Sequence, residues 1–294
     1  MAEDIIKELR VCKDPDCKKE YTAEIINCMG VRILKGMGYC PDHARKMYEI
    51  AEIKDREKTA GEIVSKRRFW REVKSGIPSK FMYEDLSTFN AYRADCMGLK
   101  KAFDRCVEYV ENWPFPDKEG NPYRYWLGYP SVLFYSKDSW GIGKSHLACA
   151  VAHGILNRWM GQPMACPVKF VSEYDIFSRI QKTYNYNQEE SHILPSEADI
   201  INDLTAVPLL IIDDIGKRQP KDLRFVQRIY FSIIDGRYKS QRPVVLTANL
   251  NAGELKTYLG RGNEDEATYD RIFEMIGGKV IHMEGPSYRR ENKV

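Results

Sequence analysis

The stretch that decides the fold runs from residue 131 to residue 148 and reads SVLFYSKDSWGIGKSHLA. Its first five residues are a candidate strand, and a helical pattern begins at Lys144. A glycine-rich turn between a strand and a helix is the setting in which backbone N–H groups and the helix N-terminus bind phosphate. The sequence therefore predicts a phosphate-binding loop, and the alternative is a glycine-rich turn that only caps a helix.

Each part of this loop has an expected role. Gly141 and Gly143 let the backbone wrap closely around phosphate oxygens. Lys144 is expected to reach the β and γ phosphates, and the Ser145 hydroxyl to ligate Mg²⁺. Asp138 stands where the GxxxxGK[ST] pattern has its first glycine, which leaves the geometry at the start of the loop open. The predicted nucleotide-binding residues of the loop are Ser139, Trp140, Gly141, Ile142, Gly143, Lys144, Ser145 and His146.

Two carboxylates follow the most apolar strand candidate. Residues 208–212 form an unbroken apolar run, which is typical of a strand buried on both faces, and Asp213 and Asp214 come next. The carboxyl ends of such strands face the crevice in which α/β sheets bind ligands. We expect Asp213 to hold Mg²⁺ and Asp214 to orient the attacking water. Asn249 ends a further strand candidate and is expected near the γ phosphate, although strands that simply run into polar loops look similar.

The remaining pattern alternates strands with helices. Such alternation predicts an α/β fold, with a parallel sheet covered by helices on both sides. Further strand candidates lie at 168–171, 243–246 and 279–283, and helix candidates at 99–113, 144–159, 174–184 and 223–238.

The N-terminal segment concentrates half of the eight cysteines within forty residues. Two close pairs with a loop between them are how small zinc modules build a tetrahedral site. A segment this small and polar needs such a staple to fold by itself. Cys28 is a competing ligand, and reduced structural cysteines are the alternative. The predicted zinc ligands are Cys12, Cys17, Cys40 and His43.

Composition limits the class of protein. The chain has 294 residues, of which 43% are hydrophobic and 30% are charged. This composition predicts a soluble globular protein and excludes a chain that is disordered along its whole length. The sequence contains no run of about 18 apolar residues, so no helical membrane span is expected. The N-terminus also lacks the apolar core of a secretory signal peptide, and we therefore expect a cytoplasmic protein. A net charge of +3 is too small to indicate nucleic acid by itself.

Together these residues resemble the AAA+ ATPases of the DnaC/DnaI helicase-loader group, which is related to the IstB transposition helper. The resemblance covers about residues 76–290 and implies an AAA+ P-loop core. Its common motifs lie at 141–148, 210–216 and 246–249, and the flanking stretches that narrow it lie at 76–81, 170–177 and 285–289.

The resemblance implies roles for residues outside the loop. Asn249 would be the sensor of the γ phosphate. Arg271 would be an arginine finger that contacts ATP on a neighbouring subunit of a ring or spiral, where it stabilises charge on the transferring phosphoryl group. Pairing with a carboxylate on its own helix is the alternative. Arg289 and Arg290 are candidates for a late nucleotide sensor or for a basic tail.

Two mixed segments are candidate partner surfaces. Residues 179–186 combine cations with aromatic side chains, which suits single-stranded DNA held by Lys182 and stacked on Tyr184 or Tyr186. Residues 66–74 hold five cations and would meet DNA or an acidic helicase surface. A solvated helix is the alternative for both segments.

The resulting hypothesis is an ATP-dependent loader of a replicative DNA helicase onto single-stranded DNA. It divides the chain into a zinc-binding partner module (1–45), a charged helical linker (46–75) and an AAA+ ATPase core (76–294). Its expected cofactors are ATP, Mg²⁺ and Zn²⁺. One alternative is an IstB-like ATPase helper of a transposase on duplex DNA, and another is a nucleotide-binding module without appreciable hydrolysis.

Overall fold

The computed structural model describes residues 5–28, 31–34, 38–116, 127–137, 139–217, 220, 222–260 and 266–291. The chain divides into two compact units, an N-terminal unit (Met1–Ser65) and a C-terminal unit (Lys66–Val294). This division falls within the predicted linker. None of the described helices is both long and apolar enough to cross a bilayer.

The N-terminal unit contains a three-stranded antiparallel sheet in the order β1-β2-β3. Sequence analysis assigned no strands to this segment, but strands occupy much of it. Strand β2 alternates inward and outward side chains, with Ala23 and Ile25 buried. Helix α1 begins at a proline, which is favourable at a first helical position. The bounds are β1 Ile5–Val11, β2 Glu20–Cys28, β3 Val31–Leu34 and α1 Pro41–Phe69.

The predicted basic stretch at 66–74 opens the C-terminal unit, where a wide helical turn continues α1 from Trp70 to Lys74. Trp70 is buried against Trp159, with ring centroids 4.7 Å apart. The Lys66 ammonium lies 4.9 Å and 4.8 Å from the centroids of these two rings. The Arg67 guanidinium donates to the carbonyl of Trp159 at 2.8 Å. Lys66 and Arg67 therefore anchor this turn, and a third cation, Arg71, donates to Asn157 Oδ1 at 2.6 Å.

A five-stranded parallel sheet forms the centre of the C-terminal unit, in the order β5-β6-β7-β4-β8. The sequence prediction of an α/β fold is confirmed. Strand β6 is buried on both faces, as its apolar run predicted, and its first four side chains have no exposed surface. The strands are β4 Val132–Tyr135, β5 Val168–Ser172, β6 Leu209–Ile215, β7 Val244–Ala248 and β8 Val280–His282.

Helices cover the sheet. Helix α3 packs on β5, β6 and β7 with α2 against it, whereas α4 and α6–α9 contribute to one large apolar cluster with the sheet. The helices are α2 Leu99–Glu111, α3 Lys144–Arg158, α4 Glu173–Thr183, α5 Gln188–Ile193, α6 Glu197–Ala206, α7 Leu223–Lys239, α8 Ala252–Leu259, α9 Ala267–Met275 and α10 Tyr288–Glu291.

The helices α5, α6 and α8 are three of those that were not predicted. Each begins with a capping box, in which the first side chain accepts from a backbone N–H three residues on and a carboxylate there bonds back. The cap residues are Asn187, Ser196 and Asn251. This local pattern was present in the sequence and would have located all three helices.

Candidate functional site

The glycine-rich loop lies between β4 and α3, as predicted. Gly143 has φ +116° and Gly141 has φ +78°, a left-handed region that favours glycine. A Cβ at Gly143 would lie 2.6 Å from the Phe89 ring, and one at Gly141 would lie 2.4 Å from Ser287 Oγ. Both glycines are therefore required by conformation and by close packing. Asp138, which replaces the first glycine of the GxxxxGK[ST] pattern, lies outside the described residues.

Of the other loop residues, Ser139 and Ile142 are buried and Trp140 is exposed. Ser139 is buried, and its hydroxyl accepts from the backbone N–H of Gly285 at 3.2 Å. Ile142 is buried, whereas Trp140 is 64% exposed at the rim of the cavity described below. The loop thus presents one large aromatic side chain to incoming ligands.

Lys144 is the first residue of α3, and its side chain is buried. Its ammonium donates to the hydroxyl of Ser136. Burial lowers the pKa of Lys144 to about 8, although the nearby carboxylates of Asp214 and Asp213 raise it. A buried ammonium beside the orphan N–H groups of a helix start fits an anionic ligand.

Asp213 is buried at the end of β6 and faces two hydroxyls. It accepts from Thr247 Oγ1 at 2.6 Å and from the Ser145 side chain. Burial raises the pKa of Asp213, with Asp214 adding to the effect. A carboxylate and a hydroxyl in contact are hard oxygen donors of the kind Mg²⁺ takes beside nucleotide phosphates. The residues present therefore fit Mg²⁺.

Asp214 occupies an unusual backbone position with φ +62°. Its backbone N–H donates to Thr247 Oγ1 at 2.9 Å. Its carboxylate accepts from Asn249 Nδ2 at 3.2 Å and from Lys217 Nζ at 2.8 Å. Asp214 and Asn249, which the sequence placed after two different strands, are therefore in direct contact.

A cavity of about 330 Å³ is lined by Lys144, Ser145, Asp214 and Asn249, whereas Asp213 is not among its lining residues. The loop forms one wall, Asp214 and Asn249 lie at the sheet edge, and two further segments complete the lining. Sequence analysis did not assign site residues to the first of these segments, residues 80–93. The lining residues from the two segments are Lys80, Phe81, Glu84, Thr88, Phe89, Asn90, Arg93, Tyr288 and Arg289.

His146 ties the first of these segments to α3. Its Nδ1 lies 3.3 Å from the Glu84 carboxylate, and its Nε2 lies 3.1 Å from Thr88 Oγ1 and 2.9 Å from the Asp85 carbonyl. The ring meets Phe89 edge to face at 5.2 Å. His146 lines the cavity, as the sequence predicted, but it also fixes the cavity wall.

The second segment is the C-terminal one. The Tyr288 N–H donates to the Gly141 carbonyl at 3.1 Å. The Arg93 guanidinium donates to the Pro286 carbonyl at 2.8 Å and lies 5.2 Å from the centroid of the Tyr288 ring. Arg289 consequently reaches the cavity. Of the two C-terminal arginines considered from the sequence, this one lies at the site.

Arg271 lies on α9 and is not among the described residues that line the cavity. Its guanidinium is 3.2 Å from Asp235 on α7 and packs on the rings of Phe231 and Tyr238 at 5.0 Å and 5.7 Å. Among the described residues, the carboxylate paired with Arg271 is therefore on α7 and not on its own helix, where Glu274 instead accepts from the Tyr238 hydroxyl at 2.8 Å.

The mixed segment at 179–186 is partly committed to internal contacts. The Tyr184 hydroxyl bonds to Glu197, and Arg228 donates to that hydroxyl at 3.2 Å. The Tyr184 ring also packs at 6.2 Å from Phe225, although 57% of the residue remains exposed.

A second, separate cluster lies in the N-terminal unit. The ligand atoms of Cys12, Cys17, Cys40 and His43 all lie within 4.8 Å of one another. The contacts Cys12 Sγ–His43 Nδ1, Cys40 Sγ–His43 Nδ1 and Cys17 Sγ–Cys40 Sγ measure 3.5, 3.7 and 3.8 Å. A tetrahedron with Zn–S bonds of about 2.3 Å has edges of about 3.8 Å, so these four residues fit a zinc ion. The side chain of the competing Cys28 lies outside the described residues.

The backbone adds to this cluster. The Cys40 N–H donates to Cys12 Sγ at 3.3 Å. Burial alone raises the pKa of the Cys12 thiol, but hydrogen bonds from the backbone at Cys40 and Asp14 outweigh it and lower that pKa to about 6. A thiolate is the form in which cysteine binds metal.

The chain is similar in sequence to a known protein family and to several known proteins. The model of the family described as IstB-like ATP binding protein matches residues 137–294. The replicative helicase loader DnaC of Escherichia coli (strain K12) is 30% identical over 173 residues, which span 59% of this chain and 59% of that relative. The DnaC of Buchnera aphidicola subsp. Baizongia pistaciae is 28% identical over 219 residues, 74% of each chain.

A solved structure agrees on the fold. The crystal structure of the DnaC helicase loader aligns with a TM-score of 0.50 at 18% identity, covering 70% of this chain and 100% of that chain. The matched family region contains the phosphate loop, both strand-end carboxylates and the C-terminal wall of the cavity. The chain therefore belongs to the family described as IstB-like ATP binding protein.

Proposed function

We propose that this chain is an ATP-dependent loader of a replicative DNA helicase onto single-stranded DNA. The observation that carries the proposal is the cavity in which Lys144, Asp214 and Asn249 converge, in a chain whose relatives are named replicative helicase loaders. The C-terminal unit binds ATP, and the N-terminal unit engages the helicase.

The chemistry at the cavity is ATP hydrolysis. Lys144 and the loop N–H groups bind the β and γ phosphates. Mg²⁺, held by Ser145 and Asp213, neutralises charge on those phosphates when it is bound. Asp214 accepts a hydrogen bond from the attacking water, and the amide of Asn249 keeps that carboxylate in place through their 3.2 Å contact.

Zinc gives the N-terminal unit its structure. The fit of three thiols and one imidazole to a tetrahedron supports a resident structural ion at Cys12, Cys17, Cys40 and His43. The strands and the start of α1 that surround this ion form the partner-binding module of residues 1–45. The charged residues 46–75 link it to the ATPase core of residues 76–294.

Single-stranded DNA binds near the α4 C-terminus. Lys182 contacts phosphate, and the exposed faces of Tyr184 and Tyr186 receive bases. The anchoring of the Tyr184 hydroxyl by Glu197 supports this role, because a fixed ring loses less conformational entropy on stacking.

Arg271 acts on ATP held by a second subunit in a ring or spiral. Its position outside the cavity of its own chain supports this role. We expect Arg271→Ala to leave ATP binding unchanged and to lower ATP turnover in the assembled state about a thousandfold, since an arginine finger contributes on that scale. Turnover and nucleotide affinity measured at several protein concentrations check this.

A mixing experiment separates this role from a structural one. Lys144→Ala supplies the finger without binding ATP, whereas Arg271→Ala binds ATP without supplying the finger. Equimolar mixing should restore turnover that neither variant shows alone. Arg224→Ala, an exposed arginine on α7, is the matched control. Failure of the mixture to recover activity, with both variants folded, contradicts action between subunits.

The helicase assignment is tested by direct binding. The purified 294-residue chain should form a complex with the replicative helicase of its source organism, measured by size-exclusion chromatography with light scattering. The second candidate, an IstB-like transposition helper, is favoured by the family match itself. A complex with a transposase and not with the helicase would support that candidate. ATP binding without phosphate release under every partner condition would instead support a binding module.

A further inference from the structure

Glu173, the first residue of α4, is a buried carboxylate outside the motifs that predicted the site. It is 1% exposed, in a chain whose other glutamates are mostly at the surface. A carboxylate is rarely buried unless several donors satisfy it, because desolvation of an unpaired charge is unfavourable. Its partners therefore indicate why it is there.

Three donors from three different elements converge on Glu173. Its Oε1 accepts from the Tyr230 hydroxyl on α7 and from the Tyr258 hydroxyl on α8, both at 2.9 Å. Its Oε2 accepts from the backbone N–H of Gly216 at 3.1 Å. Both tyrosines are themselves buried, so the cluster is shielded from water.

Gly216 is the significant partner because it lies two residues after Asp214. The turn between them is conformationally demanding, since Asp214 has φ +62° and Gly216 has φ +78°. The β6–β7 register also shifts between Ile212 and Ile215. A non-glycine residue held at positive φ persists only where its surroundings fix it.

Two sets of contacts hold this turn. From β7 and the residue after it, Thr247 and Asn249 bond to Asp214. From the side of α4, Glu173 holds the backbone N–H of Gly216. Without the second contact, the turn would be fixed by its β7 neighbours and by the Lys217 contact to Asp214, while Gly216 would lose its buried acceptor.

We propose that Glu173 is a positioning residue, which acts through the backbone of Gly216 to keep the Asp214 carboxylate aimed into the nucleotide cavity. This inference rests on the proposed ATPase activity, in which Asp214 orients water. Glu173 itself is not among the described residues that line the cavity, so it is not a catalytic residue.

Glu173→Gln tests the proposal with little change in size. An amide has only one oxygen, so its NH₂ group must face either the Gly216 N–H or the two hydroxyls. Because the hydroxyls can rotate to accept and the Gly216 N–H cannot, the amide oxygen should face Gly216, and the variant replaces a charged acceptor of this N–H by a weaker neutral one. We expect kcat for ATP to fall about tenfold, on the scale by which a charged hydrogen bond exceeds a neutral one, with the Kd for a fluorescent Mg·ATP analogue within about twofold. The exposed Glu189→Gln on α5 is the matched control.

A double variant separates positioning from general loss of structure. In an Asp214→Asn background, Glu173→Gln should lower kcat no further, because the group it positions has already been removed. Tyr258→Phe, which removes one donor and keeps the Gly216 bond, should lower kcat only about two- to threefold. An unchanged kcat in Glu173→Gln would overturn the proposal, as would equal losses of kcat and nucleotide affinity.

Hydrogen exchange gives a readout that does not depend on turnover. Glu173→Gln should exchange the amides of residues 214–217 at least about tenfold faster, on the same hydrogen-bond scale, with the loop at 141–145 unchanged. If the unmutated protein never hydrolyses ATP, the proposed function fails while this exchange result still decides the positioning contact. Unchanged exchange at 214–217 overturns the inference. Should Glu173→Gln not fold, Glu173→Asp, which keeps the charge but shortens its reach toward Gly216, is measured in the same way.

Discussion

Replacing Lys144 by alanine is expected to weaken ATP binding by about a hundredfold or more, because charged hydrogen bonds to two phosphate oxygens contribute about 3 kcal/mol together. The loss is larger than for a surface lysine because the ammonium is buried and faces Asp213 and Asp214. Without it, two carboxylates face the incoming phosphates with less opposing charge. ATP turnover should fall with binding.

The fold should survive this change. Burial of the Lys144 ammonium is unfavourable in the absence of nucleotide, as its lowered pKa indicates, so removing the ammonium should not destabilise the nucleotide-free protein. The measurement is the Kd of a fluorescent ATP analogue, together with thermal unfolding with and without Mg·ATP. Unmutated protein should gain stability with nucleotide, and Lys144→Ala should not. Lys101→Ala, an exposed lysine on α2, is the control.

Asp214→Asn is the informative comparison for the same experiment. It should keep ATP binding and lose turnover, because it removes the group that polarises water and retains Lys144 and Asp213. Both variants are assayed with single-stranded DNA present. Turnover equal to that of the unmutated protein in either variant would contradict the assignment of this cavity to ATP hydrolysis.

Replacing Cys40 by serine is expected to remove zinc and unfold the N-terminal unit. Cys40 is buried and contacts two other ligands, at 3.8 Å to Cys17 Sγ and 3.7 Å to His43 Nδ1. Structural zinc supplies about 10 kcal/mol or more of apparent free energy to small modules, more than so small a unit gains from its own core. The nucleotide cavity lies within the C-terminal unit, so ATP binding should persist.

Metal analysis of the purified chain by mass spectrometry checks this prediction, with limited proteolysis reporting the fold of residues 1–65. One zinc per chain is expected for the unmutated protein and close to none for Cys40→Ser. Binding of the helicase should be lost with it. Cys166→Ser, whose thiol donates only to the nearby Val168 carbonyl in the contacts described, is the control. Equal zinc content in both variants contradicts the metal site.

The parts of the fold that sequence predicted well are those coded by neighbouring residues. The loop at 139–146 depends on two glycines and on the strand and helix beside it, so its position could be located from local pattern. Strand β6 followed from its apolar run, although it continues through Asp213 and Asp214 to Ile215. Three of the helices that were missed, α5, α6 and α8, had local capping signals as well.

The rest of the site depends on contacts between residues far apart in the chain. Arg93 meets Pro286, and His146 meets Glu84 and Thr88. Only His146 was marked by its place in the loop motif; its partners Glu84 and Thr88, and Arg93, have no spacing that marks them as part of a site. The ion pair of Arg271 with Asp235 likewise joins two different helices, α9 and α7. Local periodicity has no information about such pairs, and they appear only when packing brings the elements together.

The two distant segments that complete the cavity have a consequence for protein synthesis. A chain emerging from the ribosome contains the phosphate loop long before Tyr288 and Arg289 have been added. Until then the Gly141 carbonyl lacks its Tyr288 donor and the wall at Arg93 lacks its Pro286 contact. We therefore expect a complete nucleotide site only on chains translated past residue 289, and ATP should stabilise C-terminal units that contain Tyr288 and Arg289 over units that lack them.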